Sequence, residues 1–180
     1  MTRWVILDRD GVINYDSDAY IKSPEEWIPI PGSLEAIAQL NRNGYRVVVV
    51  TNQAGVGRGL FDLATLERIH AKLRKQVELV GGHIEAIYFC PHGPEEGCHC
   101  RKPQTGMYEQ FAKQFSVDLD GVPAIGDSLK DLQAAQSIGA EAILVETGNG
   151  KKTLQRNPEL DVPTFVNLHE AVQYILFTQG

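Results

Sequence analysis

A three-layer α/β fold, with a parallel sheet between two layers of helices, is predicted by three features of the chain. Short apolar runs alternate with amphipathic segments from one end to the other. Most of those runs are continuously apolar, as strands covered on both faces are. Several of them also stop at a cluster of polar residues. This alternation implies βαβ units with right-handed crossovers, hence a Rossmann-like parallel sheet.

The first strand is expected over 4–8, where WVILD brings an apolar run to Asp8, with Asp10 and Gly11 just beyond it. A helix over 33–42 starts after Pro31-Gly32 and stops at Asn43-Gly44, a C-terminal signal. The second strand covers 46–51, RVVVVT. The helix over 63–80 follows the cap candidate Asp62 and carries Leu66, Ile69, Leu73, Val77 and Val80 at helical spacing. A third strand over 84–89 is followed by a helix over 105–115 with Met107, Phe111 and Phe115 on one face. Strands over 122–126 and 141–145 flank a helix over 129–138, and a short strand over 164–166 precedes a helix over 168–177.

At 180 residues the chain suits one domain, 1–180, with a sizeable core. DSDAYIKSP, residues 16–24, supplies a small flap, and no insertion is long enough for a separate cap domain. Trp27 either packs that flap over the site or lies in the core.

A net charge of −6 and a pI near 5.3 disfavour nonspecific binding to nucleic acid or anionic lipid. Any phosphate must therefore be held by local cations. No apolar run approaches bilayer length, and none precedes the first aspartate as a secretory signal would, so a cytoplasmic location is expected.

Ligands of such sheets sit beyond the carboxyl ends of the strands. There the sequence places Asp8-Arg9-Asp10, Thr51-Asn52-Gln53 and Gly126-Asp127-Ser128, with Arg101-Lys102 after the third strand. Carboxylates this close repel unless a cation joins them, and hard oxygen ligands point to magnesium. Taken singly, Asp8-Arg9-Asp10-Gly11 also reads as a turn closing a strand, and Ser128-Leu129-Lys130-Asp131 as a capping box.

All three cysteines lie in CPHGPEEGCHC, residues 90–100. Cys90, His92, Cys98 and Cys100 offer four ligands, and the intervening glycines and proline let the loop close on a structural zinc. A disulfide would leave one cysteine over. His99, between two ligands, should point away. GVGRGL at 55–60 misses the final glycine of a dinucleotide fingerprint, so it reads as a loop facing phosphate or sugar, with Arg58 a candidate contact. His70 and His83 read as surface residues.

DRDGVIN, VVVTNQ, RKP and IGDSLKD, in that order at those strand ends, resemble the four motifs of the haloacid dehalogenase superfamily of phosphotransferases. The resemblance covers nearly the whole chain. It implies a nucleophile at Asp8 and a general acid and base at Asp10, a job suited to a raised pKa. It further implies phosphoryl contacts from Thr51 and from the Asn52 N–H, with Gln53 beside them, and charge neutralisation by Lys102. Magnesium would lie on Asp8, on Asp127 and on the Asp10 carbonyl. Arg101 would reach a distal substrate group, while Asp131 is left between cap and site support.

The zinc-loop insert, together with TNQAGVGRG, is similar to that of phosphatases removing the 7-phosphate of D-glycero-D-manno-heptose 1,7-bisphosphate, and to histidinol-phosphate phosphatases. The expected activity is the former, releasing inorganic phosphate and heptose 1-phosphate, with the latter as alternative. A catalytically silent zinc-stabilised binding module is a third reading, opposed by the intact set Asp8, Asp10, Lys102 and Asp127. The expected partner is a small phosphorylated sugar, and the expected state a monomer with an oligomer left open.

Overall fold

The computed structural model describes residues 2–180. Strands β1 (Arg3–Leu7), β2 (Tyr45–Asn52), β3 (Ala86–Cys90), β4 (Pro123–Gly126), β5 (Glu141–Val145) and β6 (Thr164–Phe165) form one sheet in the order β3-β2-β1-β4-β5-β6. Every neighbouring pair is parallel. The helices are α1 (Ser33–Arg42), α2 (Ala54–Gly57), α3 (Leu63–Leu79), α4 (Gly106–Phe115), α5 (Leu129–Ser137), α6 (Gly150–Arg156) and α7 (Leu168–Gln179).

Alternate side chains of each strand feed two separate cores. Val5 and Leu7 of β1, Val47 and Val49 of β2, and Ile143 and Val145 of β5 pack with α1, α3 and α7. Trp4 and Ile6, Val48 and Val50, and Ala142 and Leu144 pack on the other face against α4 and α5. That two-sided burial is why the strands read as unbroken apolar runs rather than alternating ones.

The elements follow the expected pattern, with shifts that have physical causes. The third strand starts later and reaches Cys90, because its pairing with β2 runs from Val48↔Ala86 to Asn52↔Cys90. Asp62 caps α3 by accepting from the Thr65 N–H at 2.8 Å. Two short helices, α2 and α6, fall where loops were expected. Trp27 is fully buried in the core rather than over the site.

His70 overturns its surface reading: it is 8% exposed, on the inward side of α3. His83 is exposed, as expected. Among the described residues no insertion forms a cap domain, and no helix is long and apolar enough to cross a membrane.

From β1 the chain crosses to β2 on one side, while β4 lies on the other. The carboxyl ends of β1 and β4 thus flank the topological switch point, where a cleft opens between connections leading opposite ways.

Candidate active site

An open cleft of about 730 Å³ lies at that switch point, and the polar clusters of three strands line it. Asp8 and Asp10 come from the end of β1, Thr51, Asn52 and Gln53 from the end of β2, and Asp127 and Ser128 from the end of β4. Arg101, Lys102 and Asp131 complete its floor and one wall.

Lys102 is 2% exposed, and its amine donates to the Val50 carbonyl at 2.8 Å. It also pairs with Asp8 Oδ1 at 3.1 Å and Asp131 Oδ1 at 2.7 Å. Burial alone would lower the Lys102 pKa, but Asp131 and Asp8 hold it well above the ordinary value. The Asn52 side chain fixes the Lys102 backbone from both sides, accepting from its N–H at 2.9 Å and donating to its carbonyl at 3.2 Å.

Asp131 resolves its two readings by doing both jobs. Its Oδ2 accepts from the Asp127 and Ser128 N–H groups at 3.1 Å each, closing the capping box of α5, while Oδ1 meets Lys102. Burial pushes the Asp131 carboxyl up, but Lys102 more than offsets it and leaves it below the usual range.

Asp8, Asp127 and Asp131 present oxygens within 4.8 Å of one another. Burial, then Asp131, pushes Asp8 up to about 7, and burial, then Asp8, pushes Asp127 up to about 9. Such a set is short of positive charge, which is what a hard divalent cation supplies. The Asp10 side chain stands outside this set.

Asp127 is wedged between two glycines. A Cβ at Gly11 (φ +86°) or at Gly148 (φ +57°) would sit 2.1 or 2.3 Å from Asp127 Oδ2. Both positions therefore require glycine for space as well as for conformation. The Asn149 N–H donates to Asp127 Oδ2 at 2.9 Å, and the Thr147 hydroxyl to the Gly11 carbonyl at 2.6 Å.

Asp10 departs from expectation: its pKa is lowered. Burial raises it, but the Arg9 guanidinium overrides that, with help from Asn14 and Gln53. Arg9 is fully buried, its Nε donates to Asp10 Oδ1 at 2.9 Å, and its Nη1 donates to His70 Nε2 at 3.1 Å. Burial, then Arg9, drives the His70 imidazole down to about 3, so it is neutral. The Gln53 amide bridges two catalytic candidates, donating to Asp10 Oδ2 at 3.1 Å and to Thr51 Oγ1 at 3.0 Å.

Arg101 is on the wall, its Nη1 donating to the His92 carbonyl at 3.3 Å. Arg58 is not: it is exposed, with its guanidinium 5.9 Å from the centre of the Tyr20 ring, and Tyr20 is the residue that reaches the cleft. None of residues 55–60 lines the cleft, which on this side ends at Ala54. Gly55 and Gly57 serve packing instead, since a Cβ at Gly55 would meet Phe61 at 2.4 Å and one at Gly57 the Pro91 carbonyl at 2.5 Å.

The sequence reading missed a further part of the lining, where α6 and its flanks present Asn149, Lys152, Arg156 and Asn157. No motif announces these residues; a basic, polar helix start after the fifth strand was the one available sign. It also missed Lys130, whose amine burial and the nearby Arg101 hold below the ordinary range.

In the loop after β3, the ligand atoms of Cys90, His92, Cys98 and Cys100 also lie within 4.8 Å of one another. Cys90 Sγ is 3.5 Å from His92 Nδ1 and 3.6 Å from Cys98 Sγ. His92 Nδ1 lies 3.3 Å from Cys100 Sγ, and the two thiols Cys90 and Cys100 are 2.7 Å apart. All three cysteines are free, and three thiols with one imidazole around a common centre fit a tetrahedral zinc site. His99 points away, to Glu109 on α4.

Residues 6–129 match the family described as polynucleotide kinase 3 phosphatase, and residues 99–171 the family described as HAD-hydrolase-like. The D-glycero-beta-D-manno-heptose-1,7-bisphosphate 7-phosphatase of Bordetella bronchiseptica is 59% identical over 150 residues, 83% of this chain and 84% of that one. Its namesake from Neisseria meningitidis serogroup A is 47% identical over 175 residues, 96% and 94% of the two chains. A crystal structure of the B. bronchiseptica phosphatase complexed with magnesium and phosphate superposes with a TM-score of 0.95 at 51% identity, covering 98% of this chain and 99% of that one. Sequence, fold and the clustered strand-end residues agree, and the chain belongs to the D,D-heptose 1,7-bisphosphate phosphatase family of the haloacid dehalogenase superfamily.

Proposed function

We propose that the chain hydrolyses the 7-phosphate of D-glycero-D-manno-heptose 1,7-bisphosphate, giving heptose 1-phosphate and inorganic phosphate. The observation that carries this reading is the lining of the cleft, where buried Lys102 pairs with the carboxylates Asp8 and Asp131 and two further cations, Arg101 and Lys130, border the same opening. That layout suits a substrate with one phosphate to cut and another to hold. The names of the relatives point to the same substrate.

Asp8 attacks phosphorus as the P–O bond to C7 breaks, forming an aspartyl phosphate. Lys102 and the Thr51 hydroxyl hold the transferring oxygens. Asp10 protonates the leaving alkoxide, and its lowered resting pKa makes it a ready base for the water that then cleaves the intermediate. A phosphate dianion bound beside it raises the same carboxyl for the acid step.

Magnesium, held by Asp8, Asp127 and the Asp10 carbonyl, supplies the positive charge that lets these carboxylates ionise together and polarises the phosphoryl group. Cys90, His92, Cys98 and Cys100 would hold a zinc that staples the loop carrying Arg101, whose N–H donates to Cys98 Sγ at 3.4 Å. The reduced thiols such a site needs agree with a cytoplasmic location. The chain is read as one domain over 1–180 that works as a monomer, with an oligomer left open, and the residues of the cleft named here all belong to one chain.

Steady-state kinetics on both anomers of the heptose bisphosphate and on histidinol phosphate test the reading. A kcat/KM at least about a hundredfold higher for a heptose bisphosphate is expected, because remote binding energy from the second phosphate is available only there. Preference for histidinol phosphate would overturn it.

A further inference from the structure

Behind Asp10 stand two buried residues, Arg9 and His70, and we propose that they form a positioning pair fixing which oxygen of Asp10 faces the leaving group. The inference rests on the phosphatase reading above. It adds a residue from α3, an element that contributes nothing to the lining of the cleft.

The two oxygens of Asp10 are unequally occupied. Oδ1 accepts from Arg9 Nε at 2.9 Å and from Asn14 Nδ2 at 2.9 Å, and Arg9 Nη2 stands 2.9 Å from the same oxygen. Oδ2 accepts from Gln53 Nε2 alone, at 3.1 Å. A guanidinium that meets a carboxylate as a fork spreads its nitrogens over both oxygens. Here they converge on one, which saturates Oδ1 and leaves Oδ2 to exchange a proton with substrate.

That arrangement lasts only while Arg9 cannot move. Its side chain is fully buried, and its far nitrogen Nη1 donates to His70 Nε2 at 3.1 Å. A guanidinium has no acceptor, so the His70 ring must accept at Nε2 and carry its proton on Nδ1. A carboxylate at position 70 would compete with Asp10 for the guanidinium, and a cation would repel it. A neutral acceptor is the one choice that holds Arg9 without diverting its charge.

The histidine is itself held. Phe89 of β3 packs with its ring centre 6.2 Å from the imidazole, and the neighbouring Ile69 and Leu73 are fully buried. Lys72 ties the same stretch of helix to the flap, donating to the Pro24 and Trp27 carbonyls at 2.7 and 2.9 Å.

A residue that only filled space would slow all substrates alike. A residue that aims Asp10 matters most where the leaving group needs a proton, as the C7 alkoxide does and p-nitrophenolate does not. For both substrates kcat/KM reports transfer to Asp8, so the test is their ratio in His70→Asn and His70→Gln. The longer Gln reaches the Nε2 position with its amide oxygen, whereas Asn falls short.

His70→Asn should lose about thirtyfold or more on the heptose bisphosphate, at least about tenfold more than on p-nitrophenyl phosphate, and His70→Gln should recover most of that ratio. If His70→Asn folds poorly by circular dichroism, Arg9→Lys replaces it, since one amine cannot serve both Asp10 and His70. Parallel losses on the two substrates, or a Gln variant no better than Asn, would overturn the pair's role while leaving the phosphatase reading intact. A wild-type protein inert toward the heptose bisphosphate would overturn both.

Discussion

The carboxylates of the cleft differ in where their charge is answered. Asp10 has Arg9, Asp131 has Lys102, and Asp8 shares Lys102, while Asp127 faces only backbone donors and other carboxylates. Asp8 and Asp127 therefore hold their protons to about pH 7 and pH 9, above the ordinary value of 3.8. Between 3.8 and those values these two carboxyls bind more protons in the folded chain without metal than in the unfolded chain, so the stability they contribute falls as pH rises through that window. Magnesium reverses the trend, because it binds the ionised forms. Thermal melts with and without one fixed magnesium concentration, about a hundred times its Kd at pH 9, should show a rise in Tm of about 5–10 °C at pH 9, shrinking to about 2 °C or less at pH 5, where protonation of Asp8 and Asp127 weakens binding. A rise that is the same at both pH values, or larger at the lower one, would contradict this electrostatic account. A single residue can also carry two loads, and magnitudes separate them. Losing a cap costs about 1 kcal/mol, whereas stripping one partner from a buried ion pair costs about 3–5 kcal/mol, so the contact with Lys102 is the larger of the two jobs of Asp131.

Among the elements, the loop after β3 is the one whose order depends on something other than a core. Residues 91–101 contain one short 3-10 turn, Pro94–Glu96, and neither a long helix nor a strand, yet they end at Arg101 and Lys102. The Arg101 N–H rests on Cys98 Sγ and its guanidinium on the His92 carbonyl, so two of the four proposed zinc ligands position the cation directly. Cys98→Ser should lower Tm by several degrees and raise KM for the bisphosphate about tenfold, with metal analysis showing less than one zinc per chain. Wild-type stability and kinetics in that variant would remove the site. The strands and long helices were legible because two-sided burial and 3.6-residue periodicity write themselves into composition, and the Cys/His cluster after β3 because its residue types sit at metal spacing. His70 was misjudged because a single polar residue on an otherwise apolar helix face looks exposed until its partner, Arg9, is seen to be buried beneath it. Short α6 left too few residues for a period, so the Lys152 and Arg156 wall could not be read.

At the scale of the molecule, an acidic chain concentrates cations where a doubly charged ligand would need them. The net charge is −6, yet Arg101, Lys102, Lys130, Lys152 and Arg156 all border one cleft. The sheet makes this possible: the switch point between β1 and β4 brings residues from position 8 to position 157 to one opening, with α6 on one side and the zinc loop on another. With no cap domain among the described residues, specificity has to come from that ring of cations and from the flap residues Asp16, Ser17, Asp18 and Tyr20. The central claim is that the floor cuts one phosphate while the wall holds the other. Phosphorus NMR of the heptose 1,7-bisphosphate during turnover tests it most directly, because the two phosphates resonate separately. The account predicts that the C7 signal decays into inorganic phosphate while the C1 signal persists undiminished, and decay of the C1 signal first, or of both together, would contradict it.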